Sequence, residues 1–332
     1  LDLTVTSSVD LLPRSPSAAD WPALPSDAWS GSIATLHRWT QVVGKIRMCL
    51  APWQNHSWSV PLYVTASGLG TSLVPYGGAG VELDFDLLRH RFGLRATTGA
   101  SVDFALEDGL SVADFHARVL GEMRGLGMPV EIDPMPSEIA DAVPFPEDHE
   151  HATYDPAHIT ALWRALVQAE RVMAHFRAGY LGKASPVNFF WGSFDLAASR
   201  FSGRTAPPHP GGLPNFPLDV AREAYSHELT AVGFWPGNEA APEPIFYAYA
   251  YPTPEGYAGA PVQPDGAAWF EPLGEFVLPY AAVRSAADPD ADLLAFFEST
   301  HAAAADLGAW ERSELECAAP HGAEWWRSRG RG

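Results

Sequence analysis

Apolar residues recur along this chain with two alternating periods. Leu36, Trp39, Val43, Ile46 and Leu50 follow one another at steps of three and four, which predicts a helix over about 33–50 that Pro52 ends. From Trp58 to Leu106 the period falls to two. Val81, Leu83 and Phe85 alternate with Glu82, Asp84 and Asp86, and Leu88, His90, Phe92 and Leu94 continue the rhythm. After a turn at Gly99 come Val102, Phe104 and Leu106, so the stretch reads as an antiparallel meander. Ser111 then caps a helix carrying Val112, Phe115, Val119, Met123 and Leu126, closed by Gly127. Val130 to Ile132 is expected to add one short strand.

Residues 134–156 hold Pro134, Pro136, Pro144, Pro146 and Pro156 and read as a connection between halves. Beyond it a helix is expected from Ala157 to Phe176, with Leu162, Leu166, Ala169, Met173 and Phe176 on one stripe. Val187 to Leu196 is apolar on both faces and reads as one central strand. A proline-rich, mobile-looking segment spans Thr205 to Leu218. Strands follow at Tyr225 to Trp235, Ile245 to Tyr251 and Phe276 to Leu278, and Asp288-Pro289 opens a last helix. The pattern gives an α+β fold with antiparallel sheets flanked by helices. Both halves, 21–133 and 157–315, run helix, meander, helix, which suggests a duplicated unit; 1–20 reads as a flexible lead-in and 316–332 as a loose tail.

Composition removes several function classes. Of 332 residues, 40 are acidic and 21 basic, for a formal charge of −19, which opposes nucleic-acid binding and docking on anionic lipid. No apolar run is long enough to span a membrane, and no leader peptide is evident, so a cytoplasmic location is expected. Cys49 and Cys317 alone make neither a disulfide framework nor a cysteine-rich zinc site. Two lysines, Lys45 and Lys183, stand against nineteen arginines, and each follows a glycine. An ammonium whose pKa can move is something arginine does not imitate.

Familiar catalytic signatures are missing. No phosphate-binding loop is present, Gly68-Leu69-Gly70 lacks a third glycine, Ser193 lacks a nucleophile-elbow frame, and His227-Glu228 lacks the second histidine of a zincin motif. Clusters remain. Tyr225-Ser226-His227-Glu228 would set Tyr225 and His227 on one strand face for proton transfer. Arg200-Phe201-Ser202-Gly203-Arg204 offers two guanidinium groups as an anion clamp, against a reading as structural ion pairs. Asn55-His56-Ser57-Trp58 and Asp148-His149-Glu150-His151 add histidines; His56, His151 and His227 with Glu228 or Asp195 would form a metal site. Trp58, Trp191 and Trp235 suit an aromatic wall, although tryptophans beside strands are more often core.

Several of these segments carry a resemblance. Leu36-His37-Arg38-Trp39, Val60-Pro61-Leu62-Tyr63-Val64, Pro75-Tyr76-Gly77, Phe189-Phe190-Trp191-Gly192-Ser193-Phe194-Asp195-Leu196, Arg200 to Arg204, Tyr225 to Glu228 and Phe246-Tyr247-Ala248-Tyr249 together resemble an uncharacterised bacterial domain-of-unknown-function family, numbered 5996. The resemblance covers about 21–315 and implies one folded unit. It brings no activity, cofactor or catalytic residue.

The expectation is a small-molecule enzyme with a cleft between two α+β halves, of hydrolase, lyase or isomerase type. Catalysis would fall to His227, Glu228, Tyr225 and Lys183, and binding to Arg200, Arg204, Trp191, Trp235, His56 and Trp58. No organic cofactor is expected. A divalent-metal hydrolase or oxygenase, a non-catalytic small-molecule binder and an oligomeric interaction protein are the alternatives, and the oligomeric state is left open.

Overall fold

The computed structural model describes residues 17–24, 28–238, 241 and 243–317. The expected features at 1–16 and 318–332 lie outside the described residues. Among the described ones the fold is α+β, with seven α-helices and two antiparallel sheets of six strands each.

The first half opens with α1 (Ser30–Leu50), continues through β1 (Tyr63–Val64), β2 (Gly68–Gly70), β3 (Val74–Tyr76), β4 (Ala79–Asp86), β5 (Arg91–Ala96) and β6 (Ser101–Ala105), and ends in α2 (Val112–Gly125). Its strands run in the order β1-β2-β4-β5-β6, with β3 also on β4. A turn at 87–90 separates β4 from β5, so the period-two run is two strands. Ser111 caps α2 by accepting from the Asp114 amide at 3.0 Å, and Gly127 turns out of it with φ +75°. Residues 130–132 form no strand, contrary to expectation. Trp39 of α1 is fully buried between Phe115 and Tyr154, with ring centroids 5.1 and 5.5 Å away. Stacking of this kind adds to burial.

Residues 134–156 pack onto this half. Phe145 and Tyr154 are buried, and the Asp148 and His151 carbonyls accept from Ala113 and Val112 at the start of α2.

The second half begins with α3 (Pro156–Ala178), whose amides of Ala157 and His158 are capped by Asp155. It continues through β7 (Asn188–Phe190), β8 (Asp195–Thr205), α4 (Leu218–Ala224), β9 (His227–Trp235), β10 (Ile245–Tyr251), β11 (Ala268–Phe270) and β12 (Glu275–Pro279). It closes with α5 (Tyr280–Ser285), α6 (Pro289–Leu307) and α7 (Arg312–Leu315). The expected single strand at Val187 to Leu196 is a hairpin instead. The chain reverses at 191–194, where Phe194 takes φ +61°. Two-sided hydrophobicity there reflects a buried turn. Strand order is β11-β12-β10-β9-β8-β7, unlike that of the first sheet, and the suggested duplication is not confirmed.

The sheets meet at their edges. Leu62 and Phe189 exchange backbone hydrogen bonds, each 2.9 Å long. No helix among the described residues is long and apolar enough to cross a membrane.

Candidate functional site

Alternation along the second sheet separates two unlike faces. Leu196, Ala198, Val232, Phe234, Phe246, Ala248, Phe276 and Leu278 are buried in the main core, where β8, β9 and β10 meet α3 and α6. The other face carries Asp195, Ala197, Phe201, Leu229, Ala231, Gly233, Tyr247, Tyr249, Tyr251 and Glu275, as the pairings Ala197 to Gly233 to Tyr247 require. Against it lie a short 3-10 turn at Asn55–Ser57, α4, and two irregular stretches, 134–142 and 206–217. These stretches are tied together: Glu138 N–H donates to the Pro214 carbonyl and Asn215 Nδ2 to that of Ile139, both at 2.9 Å. Tyr251 Oη donates to the Pro207 carbonyl, and the His209 ring stacks 4.5 Å from Tyr225. The segment read from sequence as mobile is thus a strap with defined contacts.

At one end of this face stand Lys183, His56 and His227. His56 and Ser57 both take left-handed φ, +57° and +55°, which non-glycine residues rarely adopt and which surrounding contacts must hold. The His56 amide donates to Glu223 Oε1 at 2.8 Å, and its Nδ1 lies 2.9 Å from the Ala224 carbonyl. A carbonyl only accepts, so Nδ1 carries the proton and Nε2 offers a lone pair. Lys183 Nζ sits 2.5 Å from that Nε2 and donates to it. Trp58 and Phe201 flank the amine, with ring centroids 5.4 and 4.9 Å from Nζ, and the His227 ring is 5.7 Å from that of His56.

Charge is scarce around this amine. Among the described residues no carboxylate lies within ion-pair distance of Lys183, and Glu223 Oε2 is buried without a hydrogen-bond partner. Lys183 is an exposed residue, yet burial at its amine lowers its pKa, with Glu223 opposing. Burial also lowers the pKa of His56, against its Ala224 bond and with help from Lys183.

Further along the same face Asp195 and Tyr225, expected as a metal ligand and a catalytic residue, stand in a cluster with groups that the sequence did not single out. Tyr247 and Ser193 hydroxyls both donate to Asp195, and Tyr225 and Tyr249 share a hydrogen bond of 2.9 Å. Burial, then the charge of Asp195, raises both Glu138 and Glu275 to about 7, and burial raises Asp195 itself. A signal existed for the tyrosines: Ile245 to Tyr251 alternates Tyr with Phe or Ala, placing three phenols on one face. Glu138 had none, because the strap's conformation depends on tertiary contacts with Gln41 and Pro214.

The remaining expected residues stand elsewhere. Arg200 lies on the helix-covered face, donating to both oxygens of Glu298 at 3.0 Å with its guanidinium 3.5 Å above Phe176. Arg204 pairs with Glu228 at 2.7 Å and donates to the Ala309 carbonyl. These two arginines are therefore engaged as structural partners. Glu228 alternates with His227 and points away from it, because neighbouring strand residues face opposite sides. Trp191 is buried against Gly44, its Nε1 donating to the Val60 carbonyl, and Trp235 pairs with Ile245 at the end of β9. Lys45 is buried and bonded to Asp133 at 3.0 Å. His151 is held by Asp148, in the segment packed on α2. The five expected metal ligands, His56, His151, His227, Glu228 and Asp195, are not brought together. No group of three or more His, Cys, Asp or Glu among the described residues is arranged to hold a metal ion. A surface depression of about 450 Å³, lined by Gln263, Pro264, Asp265, Leu278 and Asp292 among others, includes none of the site groups.

Over residues 21–317 the chain matches the family described as "Family of unknown function (DUF5996)", and it belongs to that family. No curated protein and no solved structure matches it.

Proposed function

We propose that this family member is a small-molecule enzyme working by proton transfer at Lys183, His56 and His227, in the cytoplasm and without a nucleic-acid partner. The observation that carries the reading is the bond from Lys183 to an imidazole whose tautomer is set by Ala224. A neutral imidazole beside an amine of lowered pKa is a proton acceptor poised for use near neutral pH. His227, edge-on to His56, is the second proton carrier, and Trp58 and Phe201 supply the wall for an apolar part of the substrate. Glu223 fixes the His56 backbone and acts as a positioning residue.

The aromatic patch of Tyr225, Tyr249 and Tyr251 beside Trp58 and Phe201 supports a second reading, a protein that binds a planar ligand without changing it. One experiment separates the two. Wild type and the His56→Gln and His227→Ala variants are incubated with a broad panel of small metabolites, and each compound is followed by mass spectrometry. Conversion of a compound by wild type, lost in His56→Gln, supports the enzyme. Retention of a compound without conversion in all three chains supports the binder.

A further inference from the structure

We propose that Lys183 is a carbonyl-binding amine, so that the substrate class of the site is an aldehyde or ketone held on Nζ as an imine. This rests on the acid–base reading above and adds a covalent step to it. Three features of the surroundings point there. An ammonium meant to hold an anion gains from further N–H donors converging on the same space, whereas the neighbours of Nζ are a lone pair on His56 and the faces of Trp58 and Phe201. A structural ammonium has a carboxylate partner, as Lys45 has in Asp133; Lys183 has none in ion-pair range among the described residues. A nucleophilic amine must also be reached by its substrate. Lys183 is exposed and Lys45 is buried.

The step balances without an oxidant or a reductant. The Nζ lone pair forms a bond to the carbonyl carbon as the C=O π pair moves to oxygen. One amine proton passes to His56 Nε2 and on to that oxygen, giving a carbinolamine. The second amine proton follows as the C–O bond breaks, so oxygen leaves as water and an imine remains. Addition of water reverses the sequence. His227 and Tyr225 lie on the side where the substrate's remaining atoms would rest.

The test uses the intact chain, with propionaldehyde and acetone as probes and cyanoborohydride to trap any imine, followed by peptide mapping. Lys45 serves as the internal control. Rates are measured from about pH 6 to about pH 9, where an ordinary lysine is almost wholly protonated at the lower end. The expected result is faster trapping at Lys183 near pH 7 than at the same residue in denatured chain, with the gap closing as the pH rises and both amines lose their proton. His56→Gln, which removes the relay for the amine proton, is expected to slow trapping at Lys183. Should His56→Gln fail to fold, the wild-type pH profile decides alone. A profile at Lys183 that follows the denatured chain at every pH overturns the proposal. Slow trapping together with turnover of a compound lacking a carbonyl overturns it while leaving the acid–base enzyme intact. Fast trapping with no turnover of any compound supports the imine site and counts against the enzyme.

Discussion

The two faces of the second sheet are made by the same strands, one residue out of phase, yet they treat ionisable groups in opposite ways. On the face covered by α3 and α6, a buried cation meets a counter-charge. Arg200 is buried but meets two carboxylate oxygens of Glu298 and a π face. On the strap-covered face the groups are left unanswered: Lys183 meets an imidazole, and Glu138, Asp195 and Glu275 meet one another and phenols. Leaving ionisable groups half-desolvated without counter-charges costs stability, and such costs concentrate where chemistry is done. The difference explains why two arginines that look like an anion clamp in the sequence are structural, while a lysine with no motif around it stands at the candidate site.

That contrast can be broken most severely at Arg200. Arg200→Ala removes the stack on Phe176 and one of the two donors to the Phe176 carbonyl, and is expected to cost about 3 kcal/mol in denaturant unfolding. Trapping at Lys183 should be unchanged under conditions where the variant is folded. A smaller loss is expected for Gly233→Ala. A Cβ there would stand 2.1 Å from the Tyr247 ring, which must leave its place beside Asp195, at a cost of about 1–3 kcal/mol. Loss of stability with Tyr247 still protected from tyrosine nitration would show the ring can shift without uncovering the cluster.

The carboxyl cluster gives a pH signature. Glu138 titrates near 7 in the folded chain, above its ordinary value, so between those two pH values the folded state keeps a proton that the unfolded chain has lost. Stability should therefore fall as pH rises through that window and level off above about pH 7. Glu138→Gln should flatten the profile by on the order of 1 kcal/mol, read from unfolding midpoints at both ends. An unchanged slope would mean the carboxyl is solvated. The mildest change expected is Arg204→Ala, whose half-exposed pair with Glu228 should matter by about 0.5 kcal/mol, with no effect at Lys183.

Much of this architecture was readable from the residues. Helix limits at Ser111 and Asp288 follow from local capping, and β4 follows from strict alternation. The hairpin at 188–205 was not readable, because its turn is as apolar as its strands. His56, Trp58, Lys183, Tyr225 and His227 were singled out one by one, and they share one face in the fold. Alternation already set Glu228 on the opposite face from His227; what it did not show was what covers each face, which puts Arg200 beneath α3 and α6. Glu138 was invisible for a further reason, since a carboxyl's burial depends on what lies across from it.

The paired amides of Leu62 and Phe189 have a consequence for how the molecule comes apart. Each closes an edge the other would otherwise leave open, so these two amides lose their protection against solvent deuterium together. Both amides should exchange at one shared rate, set by opening of the seam between the two sheets. For the same reason, a chain nicked within 134–156 should stay associated, its two fragments held as complementary pieces that reassemble after dilution from denaturant.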